Sequence, residues 1–205
     1  MSTAPILYLA SKSPRRAELL RQLGVNYRVL RLREAAGRDR DVAEQLVDDE
    51  PAPHYVERMA RTKAQVAFQR MQSRGLMTLP VLAADTEVVV DGVALGKPAD
   101  AADAVRMLNL LSGRTHEVIS GVALRRGDDI LYANSISRVS FALIDAEDIE
   151  RYVASGEPLD KAGAYAIQGR AAAFVTRLEG SYSGVVGLPL HETASLLASI
   201  GLRVL

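Results

Sequence analysis

Cysteine is absent from the 205 residues of this chain, which excludes a disulfide framework, a thiolate metal site and a cysteine nucleophile together. Net charge is absent too, with 25 Lys and Arg against 25 Asp and Glu. A polyanion binder draws its affinity from clustered basic charge and released counterions, so this balance argues against DNA or RNA as a partner. Any bound anion should be small. Long apolar runs are missing: no segment approaches the roughly 20 residues that span a bilayer. Met1–Ala10 carries neither a basic leader nor an apolar stretch of signal length. The expectation is a cytoplasmic protein with no membrane partner. Histidine is scarce, and His54, His116 and His191 stand too far apart for a ligand spacing. Zinc is therefore not expected, and any metal should be a hard one, Mg²⁺ or Mn²⁺, held by carboxylate and phosphate oxygens.

What is present is ordinary globular composition, 48% hydrophobic and 24% charged. A chain of this size can bury about 70% of its unfolded surface, enough for a good core without a metal or disulfide staple. The basic charge is unequally carried, by 21 arginines and only four lysines, Lys12, Lys63, Lys97 and Lys161. Either an arginine-biased genome left these four, or they mark places where a compact ammonium fits and a planar guanidinium does not.

Pro5–Ala10 reads as a short buried strand that runs into a helix, with Ser13 as N-cap, Pro14 at the first helical position and Gly24 as the stop. Residues 31–52 are charge-rich and end among Pro51 and Pro53, as a loop or a loosely packed helix would. Val56, Met59, Ala60, Lys63, Ala64, Ala67 and Met71 share one helical face. Leu79–Val90 has strand composition and meets a hairpin turn at Asp91-Gly92. A helix over 100–111 closed by Gly113, a long hairpin over 115–144 around Gly127, a helix capped by Asp145 and a last helix over 191–200 complete the pattern. Between the last two lies a stretch, 157–190, rich in glycine and small residues. The mixed order predicts one α/β domain over residues 1–205, with two lobes around a cleft.

Three features point to chemistry. Arg15 and Arg16 fall in the first turn of the first helix, where the macrodipole and unpaired N–H groups already present positive charge. They either extend into solvent or help Ser11, Ser13 and the backbone hold an anion such as phosphate. Lys63 is the one charged residue on its apolar stripe; its stem either snorkels past a core or its ammonium meets a partly buried anion. On either anion reading, removing Arg16 or Lys63 should relieve repulsion in the ligand-free protein. Asp85 interrupts Val-Leu-Ala-Ala before Thr-Glu-Val-Val-Val. A carboxylate there must lie at a strand's end or in a surface turn, or else be stabilised by a cation.

Six segments then combine: Leu9-Ala-Ser-Lys-Ser-Pro-Arg-Arg-Ala-Glu-Leu-Leu20, Ala60-Arg-Thr-Lys-Ala64, Ala83-Ala-Asp-Thr86, Gly96-Lys-Pro98, Ser112-Gly-Arg-Thr-His116 and Ser155-Gly-Glu-Pro-Leu-Asp-Lys-Ala-Gly-Ala-Tyr165. In this order they resemble the Maf family, named for septum formation, over nearly the whole chain. The resemblance implies an elongated, twisted mixed sheet with flanking helices, similar to inosine triphosphate pyrophosphatases, a homodimer, and a house-cleaning hydrolase that splits nucleoside triphosphates into monophosphate and pyrophosphate. It implies Asp85 as proton acceptor, Ser11, Arg15, Arg16, Lys63, Lys97 and Lys161 as phosphate-binding residues, and Arg15, Thr86 and Gln168 as base-selecting ones. It implies a divalent cation on Asp85, with Glu34 as a second acidic ligand that matches the family pattern off register. Tyr165-Ala-Ile-Gln-Gly169 and Gly180-Ser-Tyr-Ser-Gly184 resemble the subgroup acting on dTTP and UTP. The alternatives are the subgroup acting on 7-methylguanosine triphosphate, a phosphatase that removes the terminal phosphate, and a nucleotide-binding division regulator with little turnover.

Overall fold

The computed structural model describes residues 6–32, 42 and 50–204. The sequence-predicted strand and helix at the start are β1 (Leu7–Leu9) and α1 (Pro14–Gln22). Ser13 is the N-cap, its hydroxyl accepting from Arg16 N–H at 3.4 Å, and Gly24 ends the helix at φ +69°. After β2 (Tyr27–Val29) comes α2 (Ala52–Ser73), then β3 (Val81–Val90) and β4 (Val93–Ala94), joined at Asp91 and Gly92. Both turn residues have positive φ, +52° and +78°, as a two-residue hairpin turn of the favoured twist requires. Asp100 caps α3 (Ala101–Leu111) through a 2.8 Å bond from Asp103 N–H. The long hairpin is β5 (Thr115–Arg126) and β6 (Asp129–Phe141). Asp145 precedes α4 (Ala146–Ala154) as expected, but its side chain makes no capping bond. The glycine-rich stretch folds into three short 3₁₀ turns, β7 (Val175–Glu179) and α5 (Tyr182–Val186), and α6 (Leu190–Ser199) follows Pro189.

The strands form one mixed sheet in the order β2-β1-β3-β5-β6-β7, with β4 paired to β3. β1 is parallel to both β2 and β3, which suits its wholly buried Leu-Tyr-Leu composition. β4 and β7 run antiparallel to β3 and β6. No helix among the described residues is long and apolar enough to cross a membrane.

The chain divides into two compact units, Met1–Asp85 with Ser120–Asn134 and Gly187–Leu205, and Thr86–Ile119 with Ser135–Val186. In the first, Ala60, Ala64, Ala67 and Met71 of the expected α2 stripe, joined by Phe68, pack on Tyr8, Ala10, Val81, Ala83 and Ala123. Alanines on both surfaces let helix and sheet approach closely, so an ammonium on the same helix face can reach the sheet. In the second, α3 and α4 bury Met107, Leu108, Leu111, Ile149 and Tyr152 against Val88, Val118, Val139 and Phe141.

Candidate active site

In the first unit, β1 delivers the chain to Ser11, whose hydroxyl accepts from Ser13 N–H at 3.1 Å. It keeps its own proton to donate. Arg15 and Arg16 follow in the first turn of α1, which has no acidic residue. Arg16 Nε donates to the carbonyl of Gly187 at 2.8 Å, so this guanidinium ties α1 to the segment before α6.

Lys63, on α2, donates to Asp85 Oδ1 at 2.6 Å, with side chains only 13% and 12% exposed. Asp85 sits inside β3 rather than at its end or in a turn, and of the readings open from sequence the cation is the one present. The expectation that removing Arg16 or Lys63 relieves repulsion is thereby corrected, since each holds a protein partner. Near this pair, burial first, then the charges of Glu57 and Asp85, push the Tyr132 phenol up to about 12.

In the second unit, Thr86 continues β3 and is followed by Glu87, to which the sequence alone assigns no role. Glu87 is 6% exposed, and its carboxylate accepts from Val88 N–H at 3.1 Å and Gly96 N–H at 2.8 Å. The carbonyl of Gly96 in turn accepts from Gly163 N–H at 2.8 Å. This chain of bonds sets the Gly96-Lys97 segment beside the Lys161–Gly163 segment. Gly163 stands at φ +66°, and a Cβ there would lie 2.8 Å from Val88. Any side chain would therefore clash with β3 and strain the left-handed backbone at Gly163. Lys97 is exposed, while Lys161 Nζ donates to the carbonyl of Glu157 and to Asp160 Oδ1. Gln168 lies exposed in a turn of the same unit. Glu34 lies outside the described residues.

His116 stands too far from the other histidines in sequence for a ligand spacing, yet it has a defined place. Its Nε2 shares a 2.8 Å hydrogen bond with the Tyr165 hydroxyl, and its ring meets Phe141 and Tyr165 edge-on. Nδ1 is buried without a partner. A stranded lone pair costs less than a stranded N–H, which puts the proton on Nε2. Burial lowers the His116 pKa from 6.5 to about 4. The unfolded chain thus takes up a proton near 6.5 that the folded one resists, and stability present above that pH is lost as pH falls toward 4. The full loss is about 3 kcal/mol. Melting temperatures of wild type and His116→Phe between pH 7.5 and 4.5 check this. The variant should show a flatter decline, and equal slopes would remove His116 as the cause.

Comparison with known proteins adds to this geometry. Residues 6–200 match the family model described as Maf-like protein. A dTTP/UTP pyrophosphatase of Polaromonas sp. (strain JS666) is 50% identical over 204 residues, 100% of both chains. One of Cupriavidus metallidurans is 55% identical over 97% of this chain and 98% of its own, and one of Aromatoleum aromaticum is 52% identical over 95% of each. Among solved structures, the Ham1 protein of Staphylococcus aureus aligns with a TM-score of 0.45 at 16% identity, over 66% of this chain and 71% of that one.

Proposed function

The chain belongs to the Maf family, and from that premise we propose that it is a cytoplasmic nucleoside triphosphate pyrophosphatase acting on dTTP and UTP. The observation that carries this reading is the Lys63–Asp85 pair, a carboxylate placed inside a buried strand and held at 2.6 Å by a single ammonium. The names of the full-length relatives supply the reaction and the nucleotides.

On this reading Asp85 accepts the proton of the water that attacks the α-phosphorus, and its orientation is fixed by Lys63. Arg15, Arg16 and the Ser11 hydroxyl bind phosphate oxygens in the first unit; Lys97 and Lys161 do so in the second. Their charge meets the charge that develops on the departing pyrophosphate, the dominant demand of phosphoryl-type transfer. Lys161 must exchange its bonds to Asp160 and Glu157 for phosphate oxygens. The donor set suits a hard divalent cation, because Mg²⁺ is held by one or two carboxylates plus substrate phosphates rather than by a protein cage. Among the described residues no group of three or more His, Asp or Glu is placed so that it could hold a metal ion. Asp85 would hold Mg²⁺ or Mn²⁺ through the oxygen that Lys63 leaves, and the ion would supply neutralisation of the phosphate charge.

Arg15, Thr86 and Gln168 are the base-selecting residues of this reading. The Gln168 carboxamide offers a donor and an acceptor side by side, which matches the O4 and N3–H edge of uracil and thymine. A base that leaves these groups unmatched should lose about tenfold or more in kcat/KM. The expected order is dTTP and UTP above dCTP, ATP and GTP, measured as kcat/KM with the products identified. Preference for a guanine-type nucleotide overturns the base reading alone. Diphosphate and orthophosphate as products overturn the reaction. Binding of dTTP without release of pyrophosphate leaves the division regulator. The same reading carries a homodimer, which sedimentation equilibrium reads directly.

A further inference from the structure

Gln168 sits in a four-residue turn that Gly169 N–H closes onto the carbonyl of Ala166 at 3.0 Å. Both ends of this turn are held from one place. At its start, Ala166 N–H donates to the Tyr152 hydroxyl at 3.2 Å. Just past its end, Arg170 N–H donates to the Glu157 carboxylate, 3.1 Å from Oε1 and 3.3 Å from Oε2. The Tyr152 hydroxyl in turn donates to Glu157 Oε1 at 2.9 Å. One phenol–carboxylate pair therefore grips the turn on both sides. The backbone lies so close that a Cβ on Gly169 would stand 2.2 Å from Glu157 Oε1. Tyr152 is itself fixed, buried on α4 with its ring edge-on to Phe174 at 5.6 Å.

Gln168 stands exposed on a turn that is closed by its own hydrogen bond and rooted in the core by buried Ala166 and Ile167, so the turn needs no such clamp to exist. The clamp limits instead how the turn can tilt, and with it the direction of the one exposed carboxamide it carries. We propose that Glu157 is a positioning residue for base selection, which with Tyr152 holds the Gln168 turn in the orientation that meets the uracil or thymine edge. The inference rests on the base-selecting role of Gln168 given above. Glu157 touches no reacting atom in this scheme. Its loss lets Gln168 sample orientations that no longer distinguish a carbonyl edge from an amino edge, while the phosphate chemistry at Asp85 continues.

The test compares kcat and KM for dTTP and dCTP in the full chain and in Glu157→Ala, Glu157→Gln, Tyr152→Phe and Gln168→Ala. Glu157→Ala should lower the dTTP to dCTP ratio of kcat/KM by about tenfold, through KM, with kcat for dTTP changed less than about twofold. Glu157→Gln should restore the ratio, because its Oε1 still accepts from Arg170 and Tyr152. Tyr152→Phe should move the ratio the same way as Glu157→Ala and decides the matter if that variant does not fold. A wild-type ratio in Glu157→Ala or Tyr152→Phe, beside a collapsed ratio in Gln168→Ala, overturns the inference and leaves the base reading standing. An equal fall in kcat for both nucleotides with the ratio kept marks a merely structural residue and also overturns it. An unchanged ratio in Gln168→Ala overturns the base reading, and this inference with it.

Discussion

Replacing Asp85 by asparagine is expected to lower kcat by about 10²–10⁴-fold while the protein still folds and binds nucleotide, the usual cost of losing a positioned acid–base group. Asparagine keeps the shape of the side chain, and its carbonyl oxygen can still accept from the Lys63 ammonium that now stands 2.6 Å from Oδ1. What it cannot do is take a proton from water or offer a full negative charge to a divalent cation. The fold should therefore survive and the turnover should not. Pyrophosphate release gives the rate, and the rise in melting temperature on adding dTTP gives the binding. A near wild-type rate would remove Asp85 from the chemistry. A lost thermal response to dTTP would make it a binding residue first.

Asp85 and Lys63 are legible in the sequence because each breaks a pattern, one a run of strand residues and the other an apolar helical stripe. Their pairing is not, because it depends on how α2 is laid against the sheet, which brings Lys63 to a residue 22 positions later in the chain. Glu87 interrupts the same strand, so the argument that flags Asp85 applies to it equally. What holds it includes main-chain N–H groups, at Val88 and across the turn at Gly96, and a backbone partner leaves no trace in side-chain identity. Lys97, Lys161 and Gln168 each look like ordinary surface residues, and only the family resemblance gives them roles. The short strands β2 and β7 escape for another reason. Their residues are mostly half-buried or exposed, so they lack the apolar run or strict alternation that marks a strand. Asp145 shows the limit from the other side: the helix begins where a capping residue stands, although its side chain does not cap.

At Lys63 the large effect is expected in stability as well as in rate. Lys63→Met keeps an unbranched stem on the apolar face of α2 but leaves Asp85, its side chain 12% exposed, without its cation. Breaking one side of a buried pair costs about 3–5 kcal/mol, a large part of the roughly 5–15 kcal/mol that holds a domain together. Lys63→Met combined with Asp85→Asn removes the stranded charge as well, so the double variant should be more stable than Lys63→Met alone. Urea unfolding of the four proteins closes the cycle, with an expected coupling of about 2–3 kcal/mol. Turnover should not return with the stability, because the double variant has neither the proton acceptor nor the ammonium. Additive losses would mean that the 2.6 Å contact carries no energy and that strand and helix hold the two groups independently. Stability recovered without activity identifies a pair that the fold needs intact in order to keep a carboxylate charged inside a sheet.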